Sequence, residues 1–443
     1  MKRVSLYILL PVIVLLACNK EKNVFSKSAD QRITDTLTAY QARLTGSSYG
    51  WIGMVYPKGG GSYRFYFSFG TNGRVNMVSD FDSTSATVLN ESSYRLESLQ
   101  QPCLNFDTYN YIHLLADPNG NVNGGPDGEG LQSDFEFILS DSSTADTIRL
   151  IGRFNGSKAL LWKATQAERD GYYNGGLETV RELFNPNRIL QYFKNLKTPN
   201  GLYNMSFNLV PRTISFQQKD GTGLIHTFTT AWYYTLNGIT LGTPFQDGSQ
   251  TIQDFTGISW DGTKISATAG GNPVTIQGTN APVAIDPGAA TAWYQAANTG
   301  SANWYSIQGF HVNGVDNAYR VDTLTGRDTS NNVLPYYYMA YIPSLNGLPP
   351  GVDFFGPIFV NNTNSGVVLD WGWGGTFSPK TDGHGVFNIQ YDLGNTPTTG
   401  GGFLSIQQMA GPSGFYFVKT GPIAYDMVSK TDSRIWISWN LAQ

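Results

Sequence analysis

Apolar residues recur along this chain with two different periods, and the period changes near residue 50. In "SADQRITDTLTAYQARLT", Ile33, Leu37, Tyr40 and Leu44 are spaced by four, three and four residues. This spacing places all four side chains on one face of a helix. Ser28 precedes the pattern and is suited to be its N-cap. The sequence therefore predicts one amphipathic helix before the change of period.

From Trp51 onward the apolar period is two, which is typical of strands. The segment "SYRFYFSFG" alternates aromatic residues with polar or smaller ones, "TNG" supplies a hairpin turn, and "RVNMVSDF" continues as the returning strand. Further strand-like segments are "SSYRLESL", "YNYIHLLA", "DFEFILS", "DTIRLIGRF" and "KALLWKAT". Together they predict a first β-domain over residues 50–164.

A helical pattern returns after that domain, in "GGLETVRELF" and "NRILQYFKNL", which Pro186 separates. We expect a helical connector over residues 165–199. A second β-domain then follows over residues 200–283, beginning at "LYNMSFNLV". The order of its segments resembles that of the first β-domain, which suggests a duplicated β-unit on either side of the connector.

The last third, residues 284–443, contains "YYYMAYI", "DFFGPIFV", "GVFNIQYDL" and "RIWISW". Strands of this length and spacing favour a β-sandwich-like domain. The composition agrees, since 50 Gly and 14% aromatic residues supply many turns and many strand formers. The predicted fold class is mainly β and multi-domain, with antiparallel β-sandwich or meander units, an N-terminal helix and a short helical connector.

The first 18 residues, "MKRVSLYILLPVIVLLAC", combine a basic start with an apolar run too short to span a membrane. Residues 1–17 are therefore predicted to be a signal peptide. "LLAC" resembles a bacterial lipobox, which implies that Cys18 carries the lipid and becomes the first mature residue. Residues 18–49 would then comprise a polar tether and the amphipathic helix. Several acyl chains, at about 0.8 kcal/mol for each buried methylene, would anchor the protein firmly to lipid.

Charge and cysteine content exclude some classes of function. The formal net charge is −4, only 14% of residues are charged, and no basic cluster occurs, so we expect no nucleic-acid partner. With Cys18 lipidated, Cys103 is the only other cysteine in the sequence. No intramolecular disulfide can form, and the fold must depend on its hydrophobic cores.

One loop has the composition of a calcium site. "DPNGNVNGGPDGEG" places oxygen-bearing side chains at short intervals, as a hard cation requires; the candidate ligands are Asp117, Asn119, Asn121, Asn123, Asp127 and Glu129. The twelve-residue EF-hand loop needs Gly at its sixth position and Glu at its twelfth, where this chain has Val122 and Gly128. A polar surface turn is the alternative. No other cofactor is predicted.

The histidines and serines of the sequence form no recognised catalytic motif. His113, His226, His311 and His384 are far apart, and no Gly-x-Ser-x-Gly pentapeptide occurs. A pair of carboxylates, as glycosidases use, remains open, so a surface hydrolase acting on polysaccharide or peptide is the alternative function.

The aromatic residues are a better functional lead than any catalytic motif. In "DWGWGG", Trp371 and Trp373 are two residues apart, so both rings project from one face of a strand. They are our candidates for a ligand or partner contact, and core packing is the alternative.

The segments "LLACNKE", "YGW", "SYRLESLQQPCLNFDTYNYIH", "SDFEFIL" and "TIRLIGRFNG" resemble the family of bacterial cell-surface lipoproteins catalogued as domain of unknown function 4302. The resemblance covers residues 18–283. It implies an outer-membrane lipoprotein of Gram-negative bacteria, lipid-anchored, facing the cell exterior and encoded beside starch-utilisation-type uptake systems. It supplies no catalytic residues.

The expected function is therefore a non-enzymatic binding or accessory component of a nutrient uptake system. The expected partners are the membrane lipid, a starch-utilisation-type outer-membrane transporter complex, and a glycan or peptide ligand.

Overall fold

The structure, a computed structural model, describes residues 27–297, 302–361 and 366–442. Helix α1 spans Ala29–Thr45, and the side chain of its N-cap, Ser28, accepts a hydrogen bond from the Gln31 backbone N–H. The predicted helix and cap are thus present. Of its apolar face, Tyr40 and Leu44 are buried, whereas Ile33 near the start of the helix is exposed.

The first β-unit is a closed barrel of eight antiparallel strands, each paired with the next, in which β8 returns to β1. The strands are β1 (Trp51–Tyr56), β2 (Tyr63–Phe69), β3 (Arg74–Ser79), β4 (Asn90–Leu99), β5 (Gln101–Phe106), β6 (Glu136–Leu139), β7 (Thr147–Gly152) and β8 (Lys158–Lys163). Short helices α2 (Ser83–Thr87), α3 (Tyr111–Leu114) and α4 (Gly120–Asn123) lie in the connections. Inward-facing aromatic and aliphatic side chains fill the barrel.

Two helices, α5 (Gln166–Tyr173) and α6 (Gly176–Leu183), lead to a second closed barrel. Its strands are β9 (Phe193–Lys197), β10 (Leu202–Leu209), β11 (Arg212–Lys219), β12 (Ile225–Thr235), β13 (Gly238–Asp247), β14 (Gln250–Trp260), β15 (Lys264–Ala269) and β16 (Asn272–Thr279). Strand β9 pairs with both β10 and β16, which closes the ring.

The third unit begins with α7 (Ala289–Ala297) and contains α8 (Gly400–Met409). Its strands are β17 (Asn303–Ser306), β18 (Phe310–Val312), β19 (Thr325–Arg327), β20 (Val333–Ile342), β21 (Asp353–Val360), β22 (Val367–Val368), β23 (Trp371–Pro379), β24 (His384–Gly394), β25 (Phe415–Gly421), β26 (Ala424–Ser429) and β27 (Ile435–Ala442). Eight of these strands form a ring, because β20 pairs with β21 as well as with β17. Strands β18, β19 and β22 are short additions to that ring. We call it the third barrel.

The helix before each barrel packs into that barrel's core and offers a carbonyl to one of its aromatic side chains. In the first barrel the Trp51 indole donates to the Leu44 carbonyl at 2.8 Å. In the third, the Trp304 indole donates to the Trp293 carbonyl at 3.0 Å. In the second, the Tyr234 hydroxyl donates to the Phe184 carbonyl, just after α6, at 3.1 Å. The described part of the chain therefore contains the same helix-and-barrel arrangement three times.

The mainly β, multi-domain, antiparallel architecture predicted from the sequence is confirmed. Two local predictions were wrong. "NRILQYFKNL" does not form the predicted helix, since it begins inside a 3₁₀ turn (Pro186–Arg188) and ends inside β9. Two-sided pairing of β9 supplies the tertiary hydrogen bonds that override its helical period.

The second wrong prediction is the strand expected at "YNYIHLLA". Here β5 ends at Phe106, and Asn110 caps the single-turn helix α3, its side chain accepting from the Tyr111 backbone N–H. The aspartates and asparagines in this region favour such local side-chain-to-backbone bonds over a sheet ladder. As a result, residues 107–135 form one long connection between β5 and β6, which we call the β5–β6 loop.

Candidate ligand cleft at the junction of the first two barrels

The β5–β6 loop contains all six residues predicted to bind calcium. In four of the six residues, one side-chain oxygen accepts a hydrogen bond from the loop's own backbone. Asp117 Oδ1 accepts from the Asn119 N–H at 2.9 Å, and Asn119 Oδ1 accepts from the Asn121 N–H at 3.0 Å. Asp127 Oδ1 accepts from the Gly120 N–H at 2.8 Å, which joins the two ends of this segment. These are Asx-type turns, so the polar side chains already have a structural role without an ion.

Two further members of the set shape the loop. The buried Asn123 side chain donates to the carbonyls of Leu114 and Asp117 at 2.9 and 2.8 Å, and its Oδ1 accepts from the Gly125 N–H. The exposed Glu129 accepts from the Gln132 side chain at 2.7 Å. Within residues 27–297, 302–361 and 366–442, no three or more His, Cys, Asp or Glu side chains are grouped to hold a metal ion. The calcium site stays a prediction.

Replacing Asp127 by alanine distinguishes the two roles of this loop. We expect Asp127→Ala to lower stability by about 1 kcal/mol, with or without calcium, because the Gly120 N–H loses its partner. Thermal melts of wild type and variant with millimolar CaCl₂ or with chelator check this. Asp141→Ala, at an exposed turn of the same barrel, is the control. A calcium-dependent rise in melting temperature that only the Asp127 variant loses would instead indicate a calcium site.

A cleft of about 480 Å³ lies between this loop and the β10–β11 turn of the second barrel. Its lining consists of Gly59, Gly124, Gly125, Pro126, Glu129, Gly130, Leu131, Gln132, Val210 and Pro211. The volume falls within the range of small-ligand sites, which often lie at domain junctions. Backbone, aliphatic carbons, one amide and one carboxylate line it, a mixture suited to a ligand with both hydroxyl or amide groups and apolar faces.

The backbone of the first barrel approaches the β10–β11 turn of the second barrel closely at two glycines beside the cleft. A Cβ at Gly124 would lie 2.6 Å from Val210 Cγ2, and one at Gly60 would lie 3.1 Å from Pro211 Cβ. Gly124 also has a φ of +75°, which residues with a side chain rarely adopt. Glycine at these two positions therefore lets the β5–β6 loop, at Gly124, and the β1–β2 turn, at Gly60, approach the β10–β11 turn closely.

A buried ion pair fixes the turn that forms the second wall of the cleft. Arg212, next to Pro211, donates from Nη1 to Asp80 Oδ2 at 2.7 Å and from Nη2 to the Asp80 carbonyl at 2.9 Å. Its guanidinium also lies 4.4 Å from the centre of the Tyr63 ring. Burial is the largest single influence on the pKa of the Arg212 guanidinium and lowers it, but Asp80, Tyr63 and Tyr234 together leave this pKa raised. The pair therefore joins the first barrel, through Asp80, to the second barrel, through Arg212.

The same aspartate accepts further bonds from both barrels. Its Oδ1 accepts from the Arg64 backbone N–H at 2.9 Å, and its Oδ2 accepts from the Tyr234 backbone N–H at 3.0 Å. The Arg181 side chain, on α6, donates to the Asp80 carbonyl at 2.6 Å. Sequence reasoning missed Asp80 and Arg212 because they are 132 residues apart and neither belongs to a motif.

Trp371 and Trp373, predicted as a ligand or partner contact, lie inside the third barrel. They are 6% and 3% exposed, and their ring centroids are 5.6 Å apart at nearly a right angle. The Trp371 indole donates to the Thr325 carbonyl at 3.3 Å, and Trp373 stacks with Phe355. The two rings do project from one face of β23, but that face points to the core, as in the alternative of core packing.

The predicted lipid attachment site, Cys18, lies outside the described residues. Cys103 is a buried free thiol whose pKa is raised by burial. In the part of the chain that the structure describes, no helix has the length and apolarity needed to cross a membrane.

Comparison with known proteins gives one family match. The family described as Domain of unknown function (DUF4302) matches residues 21–261, which include the whole first barrel and most of the second. No curated protein matches.

Among solved structures, the Helicobacter pylori beta clamp in complex with 3,4-difluorobenzamide is 9% identical over 93% of this chain and 98% of that chain, with a TM-score of 0.12. The same clamp in complex with 5-chloroisatin is 8% identical over the same shares, with a TM-score of 0.13. A DNA polymerase III subunit beta sliding clamp from Bartonella birtlesii is 9% identical over 93% and 98%, with a TM-score of 0.15. These scores are far below 0.5, so they support no statement about this chain.

Proposed function

We propose that this chain, which belongs to the family described as domain of unknown function 4302, is a non-enzymatic binding protein that captures a glycan or peptide nutrient at the cell surface. The observation that carries the proposal is the cleft of about 480 Å³ between the β5–β6 loop and the β10–β11 turn. Loops positioned by a rigid scaffold are where binding residues are most often found.

The shape of the molecule favours binding at its loops over binding inside its barrels. Eight-stranded barrels leave an interior that side chains can fill, and here aromatic and aliphatic side chains do so. The cleft, by contrast, is open to solvent, and both of its walls are held by hydrogen bonds: the loop by Asn123 and the turn by Arg212. A preorganised site loses less conformational entropy when a ligand binds.

We also propose that the protein is attached to the outer membrane and faces the cell exterior. Ten residues separate Cys18 from the first residue of α1, and ten residues can extend over at most about 36 Å. Lipid on Cys18 would therefore confine the barrels close to the bilayer. Confinement raises the effective concentration of the protein at a transporter's outer face, so that a weak contact with a starch-utilisation-type complex is occupied.

The anchor is tested by Cys18→Ser. We expect this variant to lose labelling by radioactive palmitate and to move from the membrane to the soluble fraction. Cys103→Ser is the matched control, since its thiol is buried, and it should remain in the membrane with full label. Membrane retention of Cys18→Ser without label would refute the anchor.

The cleft is tested by filling it. Glu129 is exposed at the cleft, so Glu129→Trp adds bulk without disturbing the core, and we expect it to weaken ligand binding about tenfold or more. Fluorescence anisotropy with a panel of labelled oligosaccharides and oligopeptides measures this. Asp141→Trp makes the same change at the β6–β7 turn, on the opposite end of the barrel, and should bind like wild type.

Two results would count against the proposed function. Equal binding by Glu129→Trp and wild type would show that the ligand does not bind in the cleft. Cleavage of a panel member by the wild-type protein would support the hydrolase alternative.

A further inference from the structure

The outer face of the third barrel carries three tyrosines, two of which contact the third, Tyr338. The ring centroids of Tyr305, on β17, and Tyr338, on β20, are 5.5 Å apart, and those of Tyr337 and Tyr338 are 4.8 Å apart. Tyr337 is 54% exposed, and the other two are half-buried. We call Tyr305, Tyr337 and Tyr338 the tyrosine platform. It lies outside residues 21–261 and on a different barrel from the cleft.

A β-bulge creates this platform. Successive side chains of a regular strand point to opposite faces, so Tyr337 and Tyr338 would normally be separated by the sheet. The register of β20 against β21 shifts between Tyr336 and Tyr338, which makes Tyr337 the extra residue. A bulge of this kind re-aims a side chain and is common beside functional sites.

The strand that carries the bulge is held firmly in place. The Tyr336 hydroxyl donates to the Ile307 carbonyl at 2.9 Å and to the Ser306 carbonyl at 3.2 Å, which ties β20 to the end of β17. The platform rings therefore extend from a fixed base, and binding would require little ordering of the backbone.

The surroundings of the platform carry no charge along the chain. From Thr329 to Val352 the sequence contains no Asp, Glu, Lys, Arg or His, and β17 contains none either. Asn303, whose side chain interacts with Tyr338, has a buried Oδ1 without a hydrogen-bond partner. Aromatic rings and phenol hydroxyls thus occur together on two strands without charged residues, beside a buried amide oxygen that has no hydrogen-bond partner.

We propose that the tyrosine platform is a second binding site and that its ligand is a neutral glycan. Sugar rings present a face of C–H groups that packs against an aromatic ring, while their hydroxyls hydrogen-bond to phenol groups. Anionic polysaccharides and basic peptides would find no counter-charge on this stretch. Three rings are also too small an area for a stable protein interface, which buries about 800 Å² on each partner.

Isothermal titration calorimetry of the full-length protein, in a detergent without a sugar headgroup, tests the platform. The probes are maltoheptaose, cellohexaose and mannohexaose, with oligogalacturonate as the anionic comparison. We expect at least one neutral probe to bind and oligogalacturonate not to bind. Tyr337→Ala should weaken the affinity about 3- to 10-fold, and Tyr337→Phe, which keeps the ring, should stay close to wild type.

The controls separate the platform from general effects and from the cleft. Tyr56→Ala removes a tyrosine that is 40% exposed on the first barrel and should leave affinity unchanged. Wild-type melting temperature for Tyr337→Ala would show that the fold is intact.

Several results would overturn the platform proposal. They are failure of every neutral probe to bind, equal affinity for oligogalacturonate, and equal affinity of Tyr337→Ala and wild type. Loss of glycan binding in Glu129→Trp but not in Tyr337→Ala would assign the glycan to the cleft instead. A membrane protein captured by wild type and lost only in Tyr337→Ala, with no glycan binding, would also overturn it.

Discussion

Asp80→Ala is expected to lower the free energy of unfolding of the first two barrels by about 3–5 kcal/mol, because it leaves a buried guanidinium without its counter-charge. Asp80 is fully buried, and the Arg212 side chain is 6% exposed. The variant also removes acceptors for the Arg64 and Tyr234 backbone N–H groups. Urea titration followed by tryptophan fluorescence measures the loss.

An exposed ion pair provides the matched control for Asp80→Ala. Asp146 pairs with Lys163 at 2.9 Å on the same barrel, with its side chain 77% exposed. Asp146→Ala should therefore cost no more than about 1 kcal/mol. Replacing Asp80 and Arg212 together by Leu and Met should recover much of the lost stability, since no buried charge then remains. A cost for Asp80→Ala equal to that of Asp146→Ala would show that the pair does not couple the barrels.

Trp371→Ala and Trp373→Ala are each expected to destabilise the third barrel by about 3–5 kcal/mol, since each leaves a large cavity in a packed core. The two indoles contact each other, so their losses should not add. Thermal unfolding followed by near-ultraviolet circular dichroism measures the effect. Tyr337→Ala removes an exposed ring from the same barrel and should change stability by less than about 0.5 kcal/mol. If the tryptophan variants kept full stability but captured less ligand, Trp371 and Trp373 would be binding residues and not core residues.

The sequence was sufficient for those parts of the fold that depend on local pattern. Ser28 and the apolar spacing after it predicted α1, and "SYRFYFSFG", "TNG" and "RVNMVSDF" predicted β2, its turn and β3. These elements follow from capping, turn chemistry and period alone. The mainly β, antiparallel architecture was likewise predicted. The pattern did not show that strands close into barrels, since closure depends on the pairing of β1 with β8 and of β9 with β16.

Long-range contacts account for what the sequence could not show. The pattern of Trp371 and Trp373 correctly places two rings on one face, but a period of two does not reveal which face of a barrel is inside. The sequence indicated one wall of the cleft, because the composition of the β5–β6 loop is unusual. The opposite wall, at Val210 and Pro211, could not be predicted, because its position depends on how the second barrel packs beside the first.

Strand order along the chain has a consequence for how the barrels assemble. In the first and second barrels every strand pairs with the strands before and after it, and the last returns to the first. Each barrel can therefore assemble from its own continuous stretch of chain as soon as that stretch has been synthesised, without waiting for later sequence. Once the ring is complete, no strand of these two barrels presents a free edge that could pair with a neighbouring molecule. The closed rings therefore protect each barrel from edge-to-edge aggregation from the moment its eight strands have paired.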